Sequence, residues 1–140
     1  MRSVFAALAA ALALGAGLKA APLTAQGLTA PADVRLILQM TRDNWVAIGS
    51  QSGNDLLYFT HLAAWRCGFA RATYRLNGAT EERVFPMERC YHDESQPNAI
   101  RELPYVVYRA DSIAYLMVTV YFEDGSFETA KYERREITLH

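Results

Sequence analysis

Alternating apolar and polar positions are clearest near the carboxyl end of the chain. From Ser112 to Phe122 apolar side chains recur at every second position, and Asp124-Gly125 separates this run from a second one, Phe127 to Arg134. Asp-Gly between two such runs is typical of a tight β-hairpin turn. One face of the first strand is wholly apolar and is expected to point into the core: Leu116, Val118, Val120 and Phe122. Charged residues interrupt the second run, so we expect that strand to lie nearer an edge of its sheet.

A second hairpin is indicated around Asn77-Gly78. Asn-Gly tolerates the positive φ angles of a tight turn and is the strongest short hairpin signal. A four-residue turn that starts at Asn77 predicts three opposed pairs: Leu76 with Glu81, Tyr74 with Arg83, and Arg71 with Pro86. If Asn77-Gly78 alone formed the turn, the register would shift and a bulge would have to restore it. Pro86 requires a sheet edge or the end of the ladder, because proline has no N–H to donate.

The same register places the two cysteines of the chain, Cys67 and Cys90, directly opposite each other. Opposed residues of an antiparallel pair are close enough for a disulfide, and an even number of cysteines in an exported chain favours one. Closing this loop is expected to stabilise the fold by about 3 kcal/mol. A metal site from Cys67, Cys90 and His92 is the alternative, but it lacks a fourth ligand at a recognisable spacing.

Two further segments have weaker patterns. Leu56 to Trp65 is a long apolar run that a helix would also fit, and the turn-rich stretch Gly49–Asn54 before it favours a hairpin with Asn44–Ile48. Val34 to Met40 alternates and is predicted to be a strand, with a short helix capped by Asp33 as the alternative.

Tyr91 to Pro104 has no regular pattern and is predicted to be a long surface connection between two sheets, although loops of this length are often functional. Six or seven short strands separated by turn signals predict an all-β, mainly antiparallel fold. We expect a small β-sandwich or a partly open barrel, with hairpins at Asn77-Gly78 and Asp124-Gly125.

The first residues of the chain differ from the rest. Met1-Arg2-Ser3 is positively charged, Val4 to Leu14 is an unbroken apolar run, and Gly15 to Ala25 is rich in small and helix-breaking residues. This layout is typical of a secretory signal peptide, and the apolar run is shorter than the ~20 residues that a membrane span needs. We expect a cleaved signal peptide over residues 1–25 and a single β-rich domain over residues 26–140.

Cleavage is expected after Ala25, with Ala20 and Ala32 as alternative sites. No cysteine precedes Cys67, so the cleavage site holds no cysteine to which a lipid could be attached. We therefore expect no stable membrane anchor after cleavage, and a periplasmic or secreted protein.

The net charge limits the classes of partner. The whole chain carries a formal charge of −1 at pH 7, and removal of the signal peptide takes away two basic residues, Arg2 and Lys19, and no acidic ones. Binding to nucleic acid depends on a basic surface, so no nucleic-acid partner is expected. The slightly acidic remainder also gives no reason to expect attachment to anionic lipid.

No familiar catalytic or cofactor motif follows the signal peptide. The nucleophile elbow, the phosphate-binding loop, the dinucleotide fingerprint and the zinc-protease helix motif are all absent, and no cofactor is predicted. His61, His92 and His140 are the only histidines, and none shares a motif with a nucleophile.

The segment from Tyr58 to Cys67 combines aromatic residues with a histidine and an arginine. If it were extended, four of its residues would share one face: Phe59, His61, Trp65 and Cys67. Tryptophan, tyrosine and arginine dominate binding hot spots, and five residues form a candidate binding patch: Trp45, Tyr58, His61, Trp65 and Arg66. The alternative is a core strand in which Trp65 covers the disulfide and His61 hydrogen-bonds a buried carbonyl.

These features favour an exported, non-enzymatic binding or accessory module for an unknown protein or small ligand. One alternative is an inhibitor of a secreted or periplasmic hydrolase, since a rigid, disulfide-linked domain loses little entropy on binding. Another is a small enzyme that uses His92 or His61 with nearby carboxylates.

Overall fold

The computed structural model describes residues 28–140, so the predicted signal peptide and its boundary at Ala25 lie outside the described residues. Three helices are present: α1 (Pro31–Met40), α2 (Thr60–Ala64) and α3 (Arg134–Ile137). Seven strands complete the fold: β1 (Ala47–Gln51), β2 (Asn54–Tyr58), β3 (Arg71–Leu76), β4 (Arg83–Val84), β5 (Tyr105–Arg109), β6 (Tyr115–Tyr121) and β7 (Phe127–Glu133). Short 3-10 turns lie at Arg42–Asn44 and Arg66–Gly68.

The strands form two antiparallel sheets. One has three strands in the order β1-β2-β5, and the other has four in the order β4-β3-β6-β7. A single apolar core draws on both sheets and includes Ile48 and Leu57 from the first, and Val118 and Val120 from the second. The prediction of an all-β, sandwich-like fold is therefore confirmed. Over residues 28–140 the strands form these two sheets and not a closed barrel.

The hairpin at Asp124-Gly125 is confirmed. Strands β6 and β7 pair from Tyr115 opposite Glu133 to Tyr121 opposite Phe127. The apolar face of β6 is buried as expected, and β7 is the edge strand of its sheet.

The turn at Asn77-Gly78 is also confirmed, with a shorter ladder than expected. Both residues have positive φ, and the Ala79 amide donates to the Leu76 carbonyl at 2.9 Å, so Asn77 and Gly78 are the two central residues. Tyr74 still pairs with Arg83, because residues 79–82 leave the ladder and restore the register beyond it. The predicted pair of Leu76 with Glu81 is wrong, and the ladder ends before Arg71 and Pro86, although the Phe85 amide still donates to the Ala72 carbonyl at 3.0 Å in the predicted register.

A disulfide joins Cys67 to Cys90, with their Cα atoms 5.0 Å apart. The pairing agrees with the prediction, but neither cysteine lies in a strand. Cys67 belongs to the 3-10 turn Arg66–Gly68, and Cys90 lies in the irregular segment that follows β4. The bond removes both thiols, which contradicts the alternative of a metal site with His92.

The predicted strand at Val34–Met40 is wrong, because this segment belongs to α1. Pro31 occupies the first turn, where its missing N–H costs nothing. Val34 and Leu38 are fully buried, whereas Leu36 and Met40, which a strand would place on the same face, are exposed. A spacing of four residues fits both a strand and a helix, and tertiary packing decides between them.

The position of α1 depends on Gly68. A Cβ at this position would lie 2.2 Å from a methyl carbon of Val34, so only glycine allows the helix to approach the Arg66–Gly68 turn this closely. Among the helices of residues 28–140, none is both long enough and apolar enough to cross a membrane.

The apolar run Leu56–Trp65 is divided between two elements. Strand β2 ends at Tyr58 and α2 begins at Thr60, so the run is extended up to Tyr58 and helical after it. The expected hairpin forms, but its first strand is Ala47–Gln51 and its turn is Ser52-Gly53, where both residues have positive φ. The small and polar residues of β1 resemble a loop in composition, which explains the displaced boundary.

Candidate functional site

An open hollow of about 560 Å³ lies where the segment 44–46, the paired ends of β1 and β2, helix α2 and the carboxyl-terminal tail meet. We call it the Trp45 hollow. Nine residues line it: Asn44, Trp45, Val46, Ala47, Tyr58, Thr60, His61, Ala64 and Leu139. None of these residues is acidic, lysine or arginine, so the lining carries no formal charge when His61 is neutral.

The floor of the hollow includes Trp45. This side chain is fully buried in the core cluster, and its indole N–H donates to the Leu38 carbonyl at 2.8 Å. The indole nitrogen is therefore already satisfied by the last turns of α1. Trp45 therefore lies beneath the hollow as part of the core that supports it, and it offers a ligand neither a hydrogen-bond donor nor exposed ring surface.

Tyr58 forms another wall. It pairs with Ala47 across β1 and β2, and its ring meets that of Tyr105 edge-on, with the centroids 5.3 Å apart. A Cβ at Gly49 would lie 2.9 Å from the Tyr58 ring, so the ring occupies space that only glycine leaves open. Packing on two sides holds Tyr58 in place beside the hollow.

His61 is the only lining residue whose charge changes near neutral pH. Its Nε2 atom lies 2.8 Å from the hydroxyl oxygen of Thr41, at the end of α1. Burial lowers the pKa of His61, since desolvation disfavours the charged imidazolium. The neutral form therefore predominates at neutral pH. The contact is with a hydroxyl and not with the buried carbonyl considered from the sequence.

Three of the five residues in the predicted patch come together at the hollow: Trp45, Tyr58 and His61. The other two residues lie elsewhere. Trp65 is half-buried and packs against the core, and Arg66 is almost completely buried. The predicted patch requires an extended segment, and the turn into α2 after Tyr58 separates its members.

Arg66 is buried and bridges two segments of the chain, so it does not lie at the exposed rim predicted for it. Its guanidinium donates to the carbonyl oxygens of Ala63, Arg89, Asn98 and Ala99 at 2.8–2.9 Å. Its Nη2 atom also lies 3.8 Å from a carboxylate oxygen of Glu88. Arg66 thereby ties α2 to the segment around the disulfide.

The segment Tyr91–Pro104 contains no helix or strand, as predicted. Its middle is fixed to the body of the protein through the Arg66 contacts and through Asn98, which is buried and accepts a hydrogen bond from the Cys67 amide at 2.9 Å. Tyr91 is buried, and residues 92–96 are exposed. The segment is therefore anchored at 97–99 and open to solvent at 92–96.

Several lining residues were not predicted from the sequence: Asn44, Val46, Ala47, Thr60, Ala64 and Leu139. Leu139 reaches the hollow because Thr138 forms a parallel bridge with Ile48 and the Leu139 amide donates to the Ile48 carbonyl at 2.9 Å. No local pattern indicates a contact between residues so far apart in sequence. The alanine side chains are small and leave space for the hollow, and no sequence pattern marks them as lining residues.

The remaining histidines lie away from the hollow. His92 is exposed, with Nδ1 3.5 Å from the Cys90 sulfur, and His140 is exposed at the last position. Within the described part of the chain, no group of three or more histidine, cysteine or acidic side chains is arranged to hold a metal ion. No protein-family model, curated protein or solved structure matches the chain.

Proposed function

We propose that this protein is an exported, non-enzymatic binding module and that the Trp45 hollow is its site for a small ligand. The observation that carries the proposal is the convergence of Trp45, Tyr58 and His61 on one hollow whose lining has no fixed charge. Trp45 lies in the bend before β1, Tyr58 ends β2 and His61 lies in α2, so the fold alone brings them together.

The size and chemistry of the hollow support this function. Its volume of about 560 Å³ falls within the range of roughly 300–1,000 Å³ that is usual for small-molecule sites. Such sites combine apolar and aromatic walls with a few polar groups that orient the ligand. Here Tyr58 supplies aromatic surface, Ala64 and Leu139 supply aliphatic surface, and His61, Thr60 and Asn44 supply the polar groups.

An exported location is part of the proposal. The disulfide between Cys67 and Cys90 is compatible with an oxidising compartment. The predicted signal peptide supports export to the periplasm or the exterior. A ligand that diffuses in the periplasm or the medium would reach the open hollow directly.

The two alternatives have less support. An inhibitor that inserts a loop into a cleft would need a projecting segment, and Tyr91–Pro104 is tied down at its centre by Arg66. A hydrolytic enzyme based on His61 would need a nearby carboxylate, and none lines the hollow. Both alternatives remain predictions from the sequence.

A fragment screen with a blocked variant tests the proposal. The purified protein, with its disulfide formed, is titrated with small aromatic fragments while backbone amide signals are followed by NMR. Ala64→Phe fills the hollow from α2, and Ala110→Phe, at an exposed position after β5, is the matched control. We expect saturable shifts around Ala47, His61 and Ala64 that disappear in Ala64→Phe and persist in Ala110→Phe. Absence of binding, or binding unchanged in Ala64→Phe, would contradict the proposal.

A further inference from the structure

The hydrogen bonds of Thr41 determine which nitrogen of His61 carries the proton. The Thr41 hydroxyl lies 2.7 Å from the Ile37 carbonyl oxygen and 2.8 Å from His61 Nε2. A carbonyl oxygen can only accept, so the single hydroxyl proton of Thr41 is donated to Ile37. Towards His61 the Thr41 oxygen can therefore only accept. His61 Nε2 must be the donor in this contact.

The other nitrogen of His61 is then an acceptor. A neutral imidazole carries one proton, so protonation at Nε2 leaves a free lone pair on Nδ1. Burial favours the neutral form of this histidine. Among residues 28–140, Nδ1 makes no hydrogen bond, and it is not one of the buried polar atoms left without a partner. Nδ1 is thus accessible, on a side chain that lines the hollow.

The other polar groups of the lining do not impose a direction on a hydrogen bond. The side chains of Asn44, Tyr58 and Thr60 can each donate or accept. His61 Nδ1 can only accept, and the Trp45 N–H is already bound to Leu38. The histidine is therefore the group that selects between ligands that offer a donor and ligands that do not.

We propose that the Trp45 hollow takes a neutral ligand with an aromatic or alicyclic body and a hydroxyl or N–H group that donates to His61 Nδ1. This inference rests on the proposed function, because it names the class of ligand for the same site. The absence of charged side chains from the lining leaves an ionic ligand without a counter-charge. A ligand without a donor would cover Nδ1 and leave it unpaired, which costs affinity.

Three probes that share a methylphenyl body test this class: p-cresol, which has a donor, 4-methylanisole, which has only an acceptor, and toluene, which has neither. Dissociation constants are measured for the full oxidised protein and for His61→Phe and Thr41→Val. We expect p-cresol to bind the native protein about tenfold more tightly than the other two. In His61→Phe this preference should vanish. In Thr41→Val the preference for p-cresol should become smaller. Nδ1 of His61 is still present in this variant, but no hydroxyl group of Thr41 keeps the proton on Nε2.

The outcomes separate this inference from the proposed function. Equal binding of all three probes would overturn the inference and leave the hollow as a binding site. Binding of none of them would count against both. A second measurement needs neither ligand nor variant: long-range ¹H–¹⁵N NMR of His61 should show a protonated Nε2 and an unprotonated Nδ1. The opposite tautomer would overturn the inference even if p-cresol binds.

Discussion

Arg134 donates two hydrogen bonds to the carboxylate of Asp55, at 2.6 and 2.8 Å, across 79 residues of sequence. Asp55 lies in β2 of the three-stranded sheet, and Arg134 begins α3, directly after β7 of the four-stranded sheet. The same guanidinium donates to the Ile113 carbonyl at 3.0 Å. Asp55 is almost completely buried and Arg134 is partly exposed. This ion pair therefore joins the two sheets through a carboxylate that is shielded from water.

Removal of one partner should destabilise the protein strongly. We expect Arg134→Met to lower the free energy of unfolding by about 3 kcal/mol, because it leaves the buried Asp55 carboxylate without its counter-ion. Arg135→Met is the matched control, since Arg135 is exposed, and its effect should stay within about 0.5 kcal/mol. Urea unfolding of both variants measures the difference. Equal effects of the two substitutions would show that the pair does not hold the sheets together.

The same pair predicts how stability depends on pH. Hydrogen bonds from Arg134 hold the pKa of Asp55 below its usual value. Since the folded pKa is depressed, this stabilisation is fully present above the unfolded pKa of about 3.9 and is lost as the pH falls through the folded pKa. The difference in unfolding free energy between the native protein and Asp55→Asn should be constant above about pH 5 and narrow below about pH 4. A difference that widens on acidification would contradict this assignment.

The disulfide makes a separate contribution. The double variant with Cys67→Ser and Cys90→Ser should lose about 3 kcal/mol of unfolding free energy, because its unfolded chain is no longer constrained. Addition of a reducing agent should destabilise the native protein similarly and leave the double variant unchanged. Intact mass provides the direct check: the native chain should weigh two hydrogen atoms less than its reduced form. Equal masses for the two forms would show that the disulfide is absent.

Arg66 is expected to contribute to the free energy of unfolding. Arg66→Lys keeps the charge but cannot reach the four carbonyl oxygens that the guanidinium bridges, so buried acceptors lose their donor. We expect a loss of about 3 kcal/mol, with faster amide exchange at Tyr91, whose N–H donates to Pro97 in the anchored segment. Arg71→Lys, at an exposed position of β3, is the control and should leave both quantities nearly unchanged. Native stability and native exchange in Arg66→Lys would show that the bridge is dispensable.

The β6–β7 hairpin was predictable from the sequence because the features that specify it lie close together in the chain. The apolar period of two and the Asp124-Gly125 turn both act within a few residues. The segment Val34–Met40 was not predictable in the same way, since the four-residue spacing of Val34 and Leu38 fits a strand and a helix equally. Contact with Gly68, which is distant in sequence, selects the helix.

The candidate site was predictable only in part. Aromatic residues and a histidine stand out in any sequence, and Trp45, Tyr58 and His61 were selected on that basis. Their relative placement follows from the turn into α2 and from the tail that carries Leu139, which no local pattern indicates. The prediction of Arg66 at the rim of a binding patch rests on the frequency of tryptophan, tyrosine and arginine in binding hot spots, whereas its carbonyl partners are brought to it only by the folded chain.

The most direct test of the account is the location of a bound ligand in solution. Intermolecular nuclear Overhauser effects are measured between p-cresol and the isotopically labelled protein at ligand concentrations around the dissociation constant. The account predicts contacts from the ring protons of p-cresol to the Ala64 methyl group and to the Tyr58 ring, both of which line the hollow. Contacts confined to another surface, or no saturable contact at all, would contradict the claim that the Trp45 hollow is a binding site.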